Sequence, residues 1–232
     1  MKNYTPIQTE TTQNHSKSAG MNNQTEKVLD FDECITFLNK KGKELFGLKF
    51  FIDPADYEVV YKILIYIIKD ERNAQRHKIS LDKGIMLSGP VGCGKTTLMN
   101  LMNHIIPVAN RYIVRSCRLV SYDFISQGYD AIHKYSYQSF KNNKKVVTPQ
   151  AWCFDDLGTE SSLKYYGNEC NVMAEILLSR YDLFIEKDMV THITTNLVAE
   201  EIESFYGVRV RSRMREMFNL ISFDRNSKDK RV

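Results

Sequence analysis

The sequence predicts an α/β fold, a parallel sheet flanked by helices, and three stretches predict it. The first is Gly89-Pro90-Val91-Gly92-Cys93-Gly94-Lys95-Thr96, which fits G-x-x-x-x-G-K-[ST], the loop that wraps a nucleotide's phosphates. The second is Ala151-Trp152-Cys153-Phe154-Asp155-Asp156-Leu157-Gly158, an apolar run ending in two acids. That is what a central strand needs to deliver carboxylates to a phosphate site. The third is Met189 to Thr195, β-branched and strand-like, ending in Thr194-Thr195-Asn196.

The loop has the expected context. Gly84 to Ser88 before it reads as a short buried strand. Lys95 to His104 after it carries Leu98, Leu101 and Met102 at helical spacing, until Pro107 ends the run. The helix N-terminus then points its partial positive charge at a bound anion. Glycines at 89, 92 and 94 let the backbone turn its N–H groups inward, where a Cβ would collide with phosphate. Gly89, Pro90, Val91, Gly92, Cys93, Gly94, Lys95, Thr96 and Thr97 are therefore the candidate nucleotide-binding residues. Lys95 supplies positive charge to the β- and γ-phosphates, and the Thr96 hydroxyl ligates Mg²⁺. Cys93 lies inside the loop, so bound nucleotide is expected to slow its alkylation.

With 232 residues the chain can hold one α/β domain with a modest appendage, or at most two small domains, and 43% hydrophobic content suffices for a core. The net charge of +4 permits nucleic-acid contact without arguing for it, because the basic residues are spread along the chain. The 5 cysteines form no C-x-x-C pair. They read as reduced thiols of a cytoplasmic protein, with neither a disulfide frame nor a zinc site. No secretory h-region is visible at the N-terminus, and the greasiest run, Val59 to Ile68, carries Lys62 and is too short to cross a bilayer.

In chain order, residues 1–25 are polar and are expected to be a disordered tail. Residues 26–82 read as a small helical segment docked on the nucleotide domain. One helical group carries Ile35, Leu38, Leu45, Phe46, Phe50 and Phe51. A second carries Val59, Val60, Ile63, Leu64, Ile67 and Ile68, with Asp53 as N-cap and Pro54 at its first position. Residues 83–232 are the nucleotide-binding domain. Arg111 to Ser116 offers its second strand, and Ser121 to His133 a further helix. Tyr135 to Lys145, together with Lys134, interleaves Lys134, Lys141, Lys144 and Lys145 with Tyr135, Tyr137 and Phe140. This pattern suits single-stranded nucleic acid, and equally a solvated loop with anchoring rings. Gly167 to Glu186 reads as a long helix carrying Arg180, whose default explanation is a salt bridge and whose sharper one is a subunit interface.

Of the two acids, Asp155 holds Mg²⁺ and Asp156 polarises the attacking water as general base. Asn196, with Thr195 second, is placed to hydrogen-bond the γ-phosphate or the water. Gly207 to Met217 carries Arg209, Arg211, Arg213 and Arg215. If helical, it puts Arg209 and Arg213 on one face and Arg211 and Arg215 on a neighbouring one. An arginine reaching a neighbouring subunit's γ-phosphate would stabilise transition-state charge. A solvated basic helix or a nucleic-acid contact is the other reading. Leu220 to Phe223 closes the domain as a final strand.

Together, the Gly89–Thr96 loop, Phe154-Asp155-Asp156-Leu157-Gly158, Ile193-Thr194-Thr195-Asn196-Leu197 and Tyr206-Gly207-Val208-Arg209-Val210-Arg211-Ser212-Arg213 resemble an AAA+ ATPase of the DnaC/IstB kind, the helicase loaders and transposition-helper ATPases. The resemblance covers most of the chain beyond residue 83. It implies a P-loop core with a five-stranded parallel sheet, ATP and Mg²⁺ as cofactors, sensor 1 at Asn196 and the arginine finger at Arg213. It also implies self-assembly and a partnership with single- or double-stranded DNA, a replicative helicase or a transposase. The helical lid that bears a second sensor in many AAA+ proteins has no counterpart here, which leaves adenine recognition unassigned. The competing class is a P-loop kinase of nucleosides or nucleotides, whose arginine-rich lid the 209–215 stretch could imitate. The order of Asp155-Asp156 and Thr195-Asn196 favours attack by water, and no N-K-x-D follows the loop to suggest GTP.

Overall fold

The structure is a computed structural model, and it describes residues 30–143, 146–160, 163–165 and 168–231. The expectations for residues 1–25, Lys144, Lys145 and Gly167 fall outside that range.

The chain starts with α1 (Phe31–Phe46), capped by Asp30, whose side chain accepts from the Glu33 N–H at 3.0 Å. Its buried Ile35 and Leu38 join the core that also takes in α2 (Tyr57–Ile68). Asp53 and Pro54 do open this element, but through a 3₁₀ turn, Pro54–Asp56, that runs into the helix. Asp53 caps the turn by accepting from the Ala55 N–H at 2.9 Å. After α3 (Glu71–Arg76) come β1 (Gly84–Ser88), α4 (Lys95–Met102), β2 (Ile113–Ser116), α5 (Cys117–Gln127) and α6 (Tyr129–Tyr135). The single helix expected from Ser121 to His133 is thus two, divided at Gly128, where φ is +60°.

A hairpin follows, β3 (Phe140–Asn143) with β4 (Val146–Pro149), and then β5 (Trp152–Leu157). A second short hairpin, β6 (Leu163–Tyr165) with β7 (Asn168–Cys170), leads to α7 (Val172–Lys187). The long helix therefore starts later than its apolar pattern suggested, because Asn171 caps it by accepting from the Ala174 N–H. The chain closes with β8 (Thr191–Thr195), α8 (Ala199–Met217) and β9 (Phe218–Ser222). Helix α8 breaks at Gly207, whose φ of +84° is non-helical, so the arginine-bearing half is a separate segment beginning at Val208.

Five strands form one parallel sheet in the order β2-β5-β8-β1-β9. β1 lies between two strands that come late in the chain. Gly84 permits the close approach to β8, because a Cβ there would stand 1.6 Å from the Thr191 carbonyl oxygen. One core, from α1, α2 and α4, covers one face with Cys153 and Ile221. A second, from α5 to α8, covers the other with Phe154 and Ile193. Alternation along each strand decides which face a side chain joins. Among the described residues no helix is long and apolar enough to cross a membrane.

Arg180 belongs to neither reading offered for it. It is fully buried and, among the described residues, bonded to no carboxylate. Its guanidinium donates to the carbonyls of Tyr135 (2.8 Å), Gln150 (3.2 Å) and Val190 (2.9 Å) and to the Thr191 hydroxyl (2.7 Å). Burial brings its pKa down to about 9.

Candidate nucleotide site

Parallel strands gather their C-terminal ends along one edge of the sheet, and the loop after β1 opens there beside the ends of β5 and β8. Gly92 and Gly94 have φ of +80° and +99°, backbone that favours glycine. Lys95 is the first residue of α4, only 6% exposed, and its Nζ donates to the Gly89 and Pro90 carbonyls at 2.9 Å each. Thr96 and Thr97 follow in the first turn.

Thr96 meets Asp155 directly. Its hydroxyl oxygen lies 2.9 and 3.0 Å from the two carboxylate oxygens, across a sequence separation of 59 positions. Asp155 sits on the α4 side of β5 with Cys153, as strand alternation requires. Burial raises its pKa, opposed by hydrogen bonds from Thr194 and Thr96, with Asp156 adding to the rise and Lys95 to the fall. Asp156 takes φ of +55° at a register shift in the β5–β8 ladder, so the strand turns there, and its carboxylate has no partner among the described residues.

The end of β8 differs from expectation. Thr194 faces Asp155: its hydroxyl donates to Oδ1 at 2.6 Å and accepts from the Asp156 N–H at 2.9 Å. Thr195 faces away, donating to the Leu157 carbonyl and accepting from the Leu197 N–H. Its hydroxyl is thus committed to the backbone, which removes it as a phosphate ligand. Asn196 is exposed and lines a cavity of about 780 Å³ together with Gly89, Pro90, Arg211 and Arg215. Thr194 shares parity with His192, whose ring packs on Tyr66 of α2 and on Tyr112, and only this facing separates it from Thr195.

A second cavity, of about 350 Å³, flanks the loop on its other side. Phe50, Ile52, Val60, Leu98 and Phe223 supply its apolar walls, and Cys93, Gly94 and Thr97 its edge toward the loop. Asp56 and Lys230 pair at its mouth. No motif marks this cavity, because its walls come from four separate parts of the chain. Cys93 is itself buried, and burial raises its thiol pKa. Shielding by nucleotide therefore has little exposed thiol to act on.

The arginines divide as follows. Arg211 pairs with Glu203, and Arg215 stands exposed at the larger cavity. Arg213 lies 4.3 Å over the Tyr181 ring and donates to the Tyr181 hydroxyl (3.0 Å) and to Glu216 (3.2 Å). The basic and aromatic stretch is largely turned inward: Tyr135 is buried with its hydroxyl on Asp123, and Lys141 Nζ donates to the Ala109 and Arg111 carbonyls. Lys134 pairs with Asp123, and Tyr137 remains exposed.

No protein-family model matches the chain, and no curated protein matches it. Solved structures do. A DnaC helicase loader superposes with a TM-score of 0.50 at 17% identity, over 75% of this chain and 92% of that one. A candidate primosome component from Streptococcus pyogenes serotype M3 gives 0.51 at 18% identity, over 76% and 83%. With the phosphate loop, the paired acids and the β2-β5-β8-β1-β9 order already in place, the likeness shows that the chain has the P-loop AAA+ fold of these structures.

Proposed function

We propose that the chain is a Mg²⁺-dependent ATPase that works as a switch on a DNA-bound partner, in the manner of a helicase loader. One observation carries the reading: Thr96 and Asp155, from the first turn of α4 and the end of β5, meet at hydrogen-bonding distance below the glycine-rich loop. Their oxygens are the hard donors that Mg²⁺ takes, with water and phosphate completing its shell. Bound there, the ion would neutralise charge developing on the β- and γ-phosphates.

The chain's own residues supply the rest. Loop N–H groups and the α4 N-terminus bind phosphate. Lys95 adds a positive charge at the loop. The unpaired Asp156 carboxylate orients and deprotonates the attacking water. Thr194 holds Asp155 in position, and Asn196 lies beside the loop as the polar contact to phosphate or water. The base enters the 350 Å³ cavity, where Phe50 and Phe223 offer faces and Asp56 offers a polar contact. Arg213 completes the site of a neighbouring copy. The loader role rests on the fold shared with the DnaC structure, and the DNA-bound partner, self-assembly and cytoplasmic location belong to the same proposal.

The test is ATP turnover against protein concentration, with and without single- and double-stranded DNA, for the native chain, Lys95→Ala and Asp155→Asn. Both variants are expected to lose turnover by roughly a hundredfold or more, Asp155→Asn with the steeper change in Mg²⁺ requirement. Native turnover in Asp155→Asn would overturn the assignment.

A further inference from the structure

Beyond β9 the chain does not leave the molecule. Phe223 extends the sheet, its N–H donating to the Ser88 carbonyl at 2.9 Å. Asp224 then staples a turn: its side chain accepts from the Asn226 N–H at 2.7 Å and its carbonyl from the Ser227 N–H at 3.0 Å. The turn sends residues 228–231 back across the phosphate loop. There the Lys230 N–H donates to the Gly92 carbonyl at 3.0 Å, and Lys230 Nζ donates to the Cys93 carbonyl at 2.8 Å and pairs with Asp56. Asp229 presses on the loop so closely that a Cβ on Gly92 would stand 2.2 Å from its carboxylate.

The charges decide what this contact does. Of the strap's four cations, Lys230 is the one bonded to the loop, and Asp56 already neutralises it, while Arg225 lines the larger cavity with Gly89 and Pro90. Asp229 has no cationic partner among the described residues and accepts only from the Arg231 N–H. The strap therefore sets one carboxylate that lacks an ion-pair partner against Gly92, where a triphosphate would lie, and like charges at such range repel. The Asp56–Lys230 pair also stands at the mouth of the cavity proposed for the base.

We propose that residues 224–231 are a self-blocking strap: they lie on the phosphate loop, and a nucleotide must lift them to bind. This rests on the reading of the loop as a nucleotide site. Lifting breaks two backbone-directed hydrogen bonds and one ion pair while relieving the Asp229 repulsion, so occupancy of the loop is transmitted to the chain's C-terminal segment.

The test uses the full chain and a fluorescent ATP analogue with Mg²⁺. Asp229→Asn and Lys230→Ala, which loosen the strap by different routes, are each expected to bind roughly tenfold more tightly than the native chain. Nucleotide should also speed tryptic cleavage after Lys228 and Lys230 severalfold. Unchanged or weaker binding in both variants, or protection of those bonds by nucleotide, overturns the strap while leaving the nucleotide site standing. Absence of binding in the native chain and in both loosened variants overturns the site and the strap together.

Discussion

Thr194 Oγ1 lies 2.6 Å from Asp155 Oδ1, so the strand next to the acid fixes the direction of its carboxylate. The same hydroxyl accepts from the Asp156 N–H, and one side chain thus ties together both acids at the end of β5. Replacing it by valine keeps the shape and removes both bonds. Thr194→Val is expected to lower turnover by roughly tenfold or more and stability by about 1–3 kcal/mol, since a buried N–H loses its partner. Steady-state kinetics beside thermal melting checks this. Loss of stability with unchanged turnover per folded molecule would reduce Thr194 to a packing residue.

The arginine assignment has a complementation test. Arg213→Ala is expected to lower turnover by roughly a hundredfold or more at high protein concentration. Mixing it with Lys95→Ala should recover activity, because one copy keeps an intact site and the other an intact arginine. If Arg213 serves only its Tyr181 and Glu216 contacts, mixing recovers nothing. Arg215→Ala in the same assay tests the exposed arginine as the donor instead.

Arg180 is expected to matter for folding and not for turnover. Arg180→Met strips donors from the buried carbonyls of Tyr135, Gln150 and Val190. A loss of about 2–4 kcal/mol follows, with turnover per folded molecule unchanged. Denaturant unfolding measures the first and active-site titration the second. A stability within about 0.5 kcal/mol of native would show that the carbonyls find other partners.

His192 gives the acid limit. It is buried, its Nδ1 accepts from the Ile85 N–H at 3.1 Å, and burial brings its pKa down to about 3. The unfolded chain protonates this group near pH 6.5, the folded chain only near pH 3, so the unfolded state binds the extra proton in between. Its contribution is fully present above pH 6.5 and is lost as pH falls through that window, by at most about 1.4 kcal/mol per pH unit. Melting temperature followed from pH 7 to 4 should fall less steeply in His192→Gln, whose amide oxygen can accept the same N–H. Parallel curves would assign the acid limit elsewhere.

Local signals account for most of the fold and for half the site. Gly84–Ser88, the loop and α4 are contiguous, so one motif with its flanks places them, and the apolar run into Asp155 places β5. Contacts that pair distant segments were hidden. Thr195 and Thr194 are indistinguishable as letters, and only the strand's facing selects Thr194. Arg180 reads as a salt-bridge or interface residue because its actual partners include backbone carbonyls, which carry no sequence signature. The break at Gly128 was masked by apolar spacing that continues on both sides of it. The 224–231 strap went unread since polar, charged residues after a last strand resemble any solvated end.

The position of β1 has a consequence for how the protein comes into being. The strand that launches the phosphate loop is zipped on one side to β8 and on the other to β9, whose residues follow it by more than a hundred positions. During translation the loop's sequence emerges well before its scaffold does. A nascent chain halted ahead of Phe218 would hold the motif yet lack the strand that flanks β1, so the proposed nucleotide site is assembled only after β9 has emerged.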